Sequence, residues 1–471
     1  MNLTQSVKFL LKKRKFRHPP SGDGPAALIP AKRIHPDVRE LVARLQSKGY
    51  TALVVGGAVR DLLLGRSPKD FDVSTTARPE QVQGLFRNAR IIGRRFRLVH
   101  LTYPGMTVEV STFRAPSQRK RGGMIVRDNT YGTPEEDAFR RDFTMNALAC
   151  DPADGAVIDH VGGLADVREG VIRTIARPHV SLREDPVRML RAVRFMVRLG
   201  FTLESELASA MTGMAGSLAR VKRHRLAEET QRFLTKGNAV QIFQTLEQFG
   251  LLTPMLGLVP HKWVFAPEAL RKPLPLLDPY LKALDRWIAA EQEPPSTTVA
   301  LLGLVLALAR PRIRGMLLGV PAGGRRKPAS GLGKLNADLQ EMLGNWGLLK
   351  GQVAPAMRIL AAARSLPRKN GSEQRPVGDP PAGAREAWQL LALLWEQAGL
   401  EKGFAARAVR EMTGLPVLPI FDHEPRRESA RRGRPRHYAP RPARKGQGAP
   451  PSRKPKPARG RNRRAPAPAN A

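Results

Sequence analysis

Cysteine is almost absent: Cys150 is the one thiol in 471 residues. That excludes a disulfide scaffold and a Cys-based metal cluster, and it suits a reducing compartment. Acidic residues are scarce too, with 41 Asp+Glu set against 79 Lys+Arg for a net charge of +38. No apolar run approaches the roughly 18 residues that a membrane-spanning helix needs. The longest, residues 299–309, predicts a helix buried in protein. No internal repeat is visible. Apolar residues, by contrast, make up 42% of the sequence, ample for a real core. The length allows roughly three domains at about 150 residues each. A folded chain this cationic takes a polyanion as partner.

The charge is concentrated at the ends. Lys8, Lys12, Lys13, Arg14, Lys15 and Arg17 all precede the first acid, Asp23. From Glu424 onward the sequence is mostly Arg, Lys, Pro, Ala and Gly, as in Arg431-Arg432-Gly433-Arg434-Pro435-Arg436. Such a segment has almost nothing to bury and is expected to be disordered. It is either a solubilising tail or an electrostatic tether for a phosphate backbone, and the one-sided charge favours the tether. Pro/Gly-rich breaks at 319–333 and 369–383 predict loops between helical segments.

The chemistry lies in the first half. Residues 51–55 form a short apolar, β-branched strand that runs into Gly56-Gly57 and then a helix over 58–64. Paired glycines let backbone approach a phosphate, and the helix start aims N–H groups at the anion. Asp70-Phe71-Asp72 then leads into a β-type stretch, where residues two apart share a face, so the two carboxylates converge. Close carboxylates call for a cation, and hard oxygen ligands select Mg²⁺. Residues 107–113 alternate, with Glu109 and Ser111 on one face and Val108 and Val110 on the other. If that strand pairs with the Asp72 strand, Glu109 completes a three-carboxylate cage for two ions. Arg140-Arg141-Asp142-Phe143-Thr144-Met145-Asn146 offers arginines for triphosphate oxygens and an Asp and Asn for a ribose hydroxyl. Further on, Asp185-Pro186 is expected to open a helix with Asp185 as N-cap, and Arg188 and Arg191 recur on its face. Taken singly, each signal also fits an ordinary role: a strand-to-helix turn, a solvated Asp pair, an exposed strand Glu, a helix cap, a surface salt bridge.

Taken in order, these segments, together with residues 159–173 and Arg225-Leu226-Ala227-Glu228-Glu229, resemble the class II nucleotidyltransferases. That is the tRNA nucleotidyltransferase/poly(A) polymerase family. The resemblance covers about residues 41–234. It implies an α+β head of the polymerase-β-like nucleotidyltransferase type, followed by an all-α neck and body and the disordered basic tail. The expected divisions are a basic extension at 1–33, head at 34–178, neck at 179–236, RNA-docking body at 237–420 and tail at 421–471. Asp70 and Asp72 would carry the metals with Glu109, and Asp142 would be a catalytic or ribose-sensing carboxylate. Gly56, Gly57, Arg60 and Arg141 would contact the triphosphate. Asp185 and Arg188 would select the base, with Arg225 and Glu228 supporting that pocket.

Residues 91–100, Ile91-Ile92-Gly93-Arg94-Arg95-Phe96-Arg97-Leu98-Val99-His100, resemble the stretch that sets bacterial poly(A) polymerases apart from CCA-adding enzymes, and the basic tail points the same way. The implied reaction is attack of an RNA 3′-hydroxyl on the α-phosphate of ATP, with two Mg²⁺ ions, in the RNA processing and decay of a bacterial cytoplasm. Mitochondrial import of the basic N-terminus is the lesser reading. CCA addition to tRNA and a non-catalytic RNA-binding protein are the competing functions. If the tail is a tether, deleting residues 424–471 weakens RNA binding and flattens its salt dependence, with turnover at saturating primer little changed. A filter-binding titration at several salt concentrations checks this, and an unchanged slope would make the tail a solubiliser.

Overall fold

Period-two sequence gives way to helical sequence near residue 160, and the architecture changes there. The computed structural model describes residues 27–93, 97–115, 118–119, 125–127, 130–257, 264–291, 294–319, 332–345, 350–365 and 382–394. The extension up to residue 26, most of the two Pro/Gly-rich breaks, Arg94-Arg95-Phe96 and the tail lie outside these residues. Described residues of head, neck and body all belong to one compact unit, Met1–His423.

Strands β1 (Ala52–Val55), β2 (Asp72–Thr75), β3 (Ala89–Ile92), β4 (Leu98–Tyr103), β5 (Met106–Thr112), β6 (Ala149–Cys150) and β7 (Val157–Ile158) form one seven-stranded sheet. Their order is β3-β4-β5-β2-β1-β6-β7. Only β2 and β5 run parallel; the other neighbours are antiparallel. Alternation divides the two faces. Val54, Val73, Val99, Leu101, Val108 and Val110 enter the main core. They meet helix α1 (Pro36–Gln46), whose Val38, Leu41, Val42 and Leu45 recur at three- and four-residue spacing, and helix α2 (Gly57–Leu63). The other face carries a small apolar patch of Leu53, Val55 and Phe113, and beyond it the polar side chains of the candidate site.

Past the head the described elements are helices, apart from a two-stranded parallel pair, Val171–Ile172 with Thr202–Leu203. Helices α3 (Pro178–Glu184) and α4 (Val187–Leu199) are joined by Asp185 and Pro186 with no loop between them. Asp185 therefore closes α3 in an extended conformation, and Pro186 is the N-cap of α4. That moves the expected cap by one residue, although Asp185 Oδ1 still accepts the Val187 N–H at 3.2 Å. Next come α5 (Arg223–Leu234), α6 (Ala239–Gln248), α7 (Leu274–Glu291), α8 (Thr297–Leu308) and, near the end of the described body, α9 (Ala384–Leu393). The longest apolar run is α8, with every residue from Val299 to Leu308 buried, and the Tyr280 hydroxyl donates to the Ala300 carbonyl at 2.5 Å. Among the described residues no helix is long and apolar enough to cross a membrane.

A Gly-rich connector ties the head to the neck. The Asp159 carboxylate accepts four consecutive backbone N–H groups, from Val161 to Leu164, at 2.9–3.0 Å. This turn presses Gly163 against the Thr144 carbonyl so closely that a Cβ there would overlap it. Thr144 donates to buried Asp166 at 2.5 Å, and Asp166 pairs with Arg173, which also pairs with Glu204. Gly163→Ala should therefore destabilise the protein by about 1–3 kcal/mol in urea unfolding, the usual range for overpacking. Gly213→Ala, with nothing within 4 Å, should be neutral or slightly stabilising. Equal stability of the two variants would contradict the packing.

Candidate active site

The turn after β1 brings a backbone bend and an arginine together. Gly56 has φ +77°, a conformation that only glycine adopts without strain, and it is the N-cap of α2. A Cβ on Gly56 would stand 2.9 Å from Arg141 Nη1, so the guanidinium lies directly over the turn. Arg141 is held there by Asp137 Oδ2, at 3.0 Å from Nη2, and by the Asn146 carbonyl at 3.3 Å. The arrangement of an open turn, a helix N-terminus and a fixed arginine suits a phosphate. Arg60 is placed differently from the triphosphate contact that the resemblance implied. It is buried, with Nε and Nη2 on Asp61 and Nη1 on Asn146 Oδ1 at 2.6 Å. Its donors are directed into the protein, and what they fix is Asn146.

The carboxylates assemble by strand register. β2 pairs with β5 so that Asp72 lies opposite Glu109, the pairing on which the three-carboxylate reading depended. Asp70 stands in the bend before β2 rather than in the strand, with buried Phe71 between the two acids. Asp72 is reachable by solvent, yet protein crowds its carboxylate. That loss of hydration is the main reason its pKa is pushed up to about 6. Glu109 adds to the rise, Arg141 opposes it, and Asp70 contributes a smaller upward push. These hard oxygen donors fit divalent cations, because a cation would relieve the mutual repulsion that Asp72 registers. The cage is present as register and not as a closed ligand set: among the described residues no three His, Cys, Asp or Glu side chains are arranged around a metal position. Glu109 is exposed, and its Oε1 lies 3.4 Å from His100 Nε2.

Asp142 sits in other company. Its Oδ2 takes the Arg191 Nε at 2.6 Å, and its Oδ1 accepts from the Phe143 N–H at 2.8 Å and from Asn146 Nδ2 at 3.2 Å. Burial opposes its charge, but Arg191 and these hydrogen bonds hold its pKa below the usual carboxylate range. Asn146 is thus a hub. One side-chain atom binds Arg60, the other binds Asp142, and its carbonyl binds Arg141.

The neck contributes two clusters. Asp185 receives both terminal nitrogens of Arg225, at 2.8 and 2.7 Å, a bidentate pair between the start of α4 and α5. Arg188 does not join them: its Nη1 reaches back to Ser181 Oγ at 2.7 Å and to Glu184 at 3.4 Å. The second cluster centres on Glu229, which is buried and pairs with Arg194 at 3.0 Å and Arg232 at 2.6 Å, with Arg191 at 3.7 Å. Glu228, the residue that the resemblance implied, is exposed and acts on Arg225 only through its charge. Phe195 packs beneath the guanidinium groups of Arg60, Arg191 and Arg194, 4.5–5.7 Å from ring centre, and meets Phe143 edge-on.

Phe195 has no role in the sequence reading; Arg191, Asn146 and Glu229 fall within its motifs but are not singled out there as site residues. Arg191 had a signal, since it shares a helix face with Arg188. Glu229 had one as well: it falls three residues after Leu226 and four before Phe233, on the apolar side of α5. Asn146 reads from sequence as a ribose contact, whereas the structure shows it holding Arg60, Asp142 and Arg141.

The poly A polymerase head domain family matches residues 52–173. A family described as "Probable RNA and SrmB- binding site of polymerase A" matches residues 200–261. Poly(A) polymerase I of Salmonella typhi is 46% identical over 241 residues, 49% of this chain and 52% of that protein. Its Haemophilus influenzae counterpart is 44% identical over 221 residues, 45% and 49% of the two chains. A CCA-adding enzyme from Geobacillus thermodenitrificans is 35% identical over 254 residues, 54% and 59% of the two. The chain thus spans about half the length of the poly(A) polymerases it matches. A solved CCA-adding enzyme in complex with ATP shares the fold, with a TM-score of 0.50 at 21% identity over 79% of this chain and 83% of that one. Residues 52–173 are thus similar to the poly A polymerase head domain and residues 200–261 to its probable RNA-binding region, on a fold shared with a solved CCA-adding enzyme.

Proposed function

We propose that this protein is a template-independent poly(A) polymerase. It transfers AMP from ATP to RNA 3′ ends and releases pyrophosphate, in the RNA processing and decay of a bacterial cytoplasm. The observation that carries the reading is the Asp72–Glu109 register beside a glycine turn overlaid by Arg141. Asp70, Asp72 and Glu109 hold divalent cations in this reading, and the cations supply activation of the attacking hydroxyl and neutralisation of the leaving group. The chain's own residues do the positioning. Arg141 and the N–H groups after Gly56 bind triphosphate oxygens, and Asn146, fixed by Arg60, holds Arg141 in place. Asp142, kept ionised by Arg191, accepts a ribose hydroxyl rather than taking part in the chemical step. Asp185 and Arg225 present a rigid donor–acceptor edge to the base, with Arg188 behind them.

The higher identity to poly(A) polymerases I and the resemblance of residues 91–100 favour polyadenylation. CCA addition to tRNA is the second reading, because a CCA-adding relative matches a larger share of the chain, 54% against 49%. The presence of every expected carboxylate argues against a non-catalytic RNA-binding protein.

Purified protein with Mg²⁺, an RNA primer and one nucleoside triphosphate at a time decides between these. A long ladder with ATP alone is expected. Short addition that needs CTP as well as ATP on a tRNA lacking its 3′ end would move the assignment to CCA addition. No extension with any nucleotide would favour a binding protein. In the same assay Asp72→Ala should abolish addition while RNA binding persists, and retained activity would remove the metal assignment.

A further inference from the structure

Four adjacent strands of the head carry a single polar row. Asp72 on β2 lies opposite Glu109 on β5, Glu109 lies opposite His100 on β4, and His100 lies opposite Arg90 on β3. Directly opposed residues share a sheet face. The residues flanking this row in sequence, Val73, Val108, Val110, Val99 and Leu101, are all in the core, so the row stands on the open face.

Glu109 therefore has two neighbours at strand spacing. Asp72, on one side, is an anion that repels it. His100, on the other, brings Nε2 to within 3.4 Å of Glu109 Oε1. A carboxylate has two oxygens, and this contact occupies one of them. The other is left to the side where the Glu109 charge is the strongest neighbouring charge felt by Asp72. Carboxylates that ligate metals are generally hydrogen-bonded from outside, and removing that partner typically weakens metal affinity about 10–100-fold.

We propose that His100 is the positioning residue for Glu109: the imidazole donates to one carboxylate oxygen so that the other serves the cation site formed with Asp72 and Asp70. The proposal rests on the reading of Asp70, Asp72 and Glu109 as metal ligands. It also assigns a physical role to the last residue of the 91–100 stretch, which otherwise bears only on family resemblance. Arg90, exposed at the outer end of the row, places a guanidinium beside His100 on that face.

Mn²⁺ titration of the full chain without nucleotide, followed by the electron paramagnetic resonance signal of the free ion, tests this independently of activity. Glu109→Gln should weaken Mn²⁺ binding. His100→Ala should weaken it by about tenfold or more. His100→Gln, which keeps an N–H donor, should restore most of the loss. Wild-type affinity in His100→Ala while Glu109→Gln binds poorly would overturn the role of His100 and leave the metal assignment standing. Wild-type affinity in Glu109→Gln would instead overturn Glu109 as a ligand, and this proposal with it. Failure of His100→Gln to restore binding would overturn the donor role.

Discussion

The ion pair between Asp142 and Arg191 joins the head to the neck, and the order of the candidate site depends on it. Asp142 stands two residues before the 3₁₀ segment Thr144–Asn146, and Arg191 is in the first half of α4. The Asp142 side chain is only 12% exposed, so its charge is tolerated because a guanidinium and two further donors meet it. Removing one partner of such a pair leaves a charge with little hydration, which is why these pairs are strongly destabilising to break. From Asp142 the constraint passes to Asn146, from Asn146 to Arg60 and Arg141, and so to the Gly56 turn. On the neck side the same Arg191 stacks on Phe195 and lies near Glu229, where Arg194 and Arg232 also converge. The Gly56 turn on the head and the Asp185–Arg225 pair on the neck are thereby held in one register.

The carboxylates obey a different constraint. They do not depend on a buried partner but on the parallel pairing of β2 and β5, which sets Asp72 against Glu109. Each strand spends its alternate residues on the core, with Val73 between Asp72 and Ser74, and Val108 and Val110 on either side of Glu109. A slip of one residue would turn the acids inward and the valines out. The hydrophobic pattern that holds the sheet together is also what aims the acids, so stability and site geometry come from the same residues.

Much of this was legible in the sequence, and the reasons differ by element. Period two placed Glu109 opposite its valines, and the long apolar run at 299–309 could only be a buried helix. The glycine pair marked a turn that needs a positive φ, which Gly56 has. What sequence could not resolve was the choice among neighbours on one helix. Arg188 and Arg191 share a face, yet the first returns to Ser181 and the second reaches Asp142, 49 residues away along the chain. Glu228 and Glu229 differ by one residue, and helical phase alone turns the second inward. The resemblance implied a triphosphate contact for Arg60, but its packing against Phe195 and Asp61 directs it to Asn146. Those outcomes depend on how α4 and α5 pack on the head, which no local pattern encodes.

The claim that one ion pair organises the site is tested most directly by a double-mutant cycle. ATP dissociation constants would be measured by calorimetry for the parent, Asp142→Asn, Arg191→Met and the double variant. The account predicts that each single change weakens ATP binding and that the double change weakens it little further, a coupling energy of about 1–3 kcal/mol. Losses that simply add, with no coupling between the two positions, would contradict it.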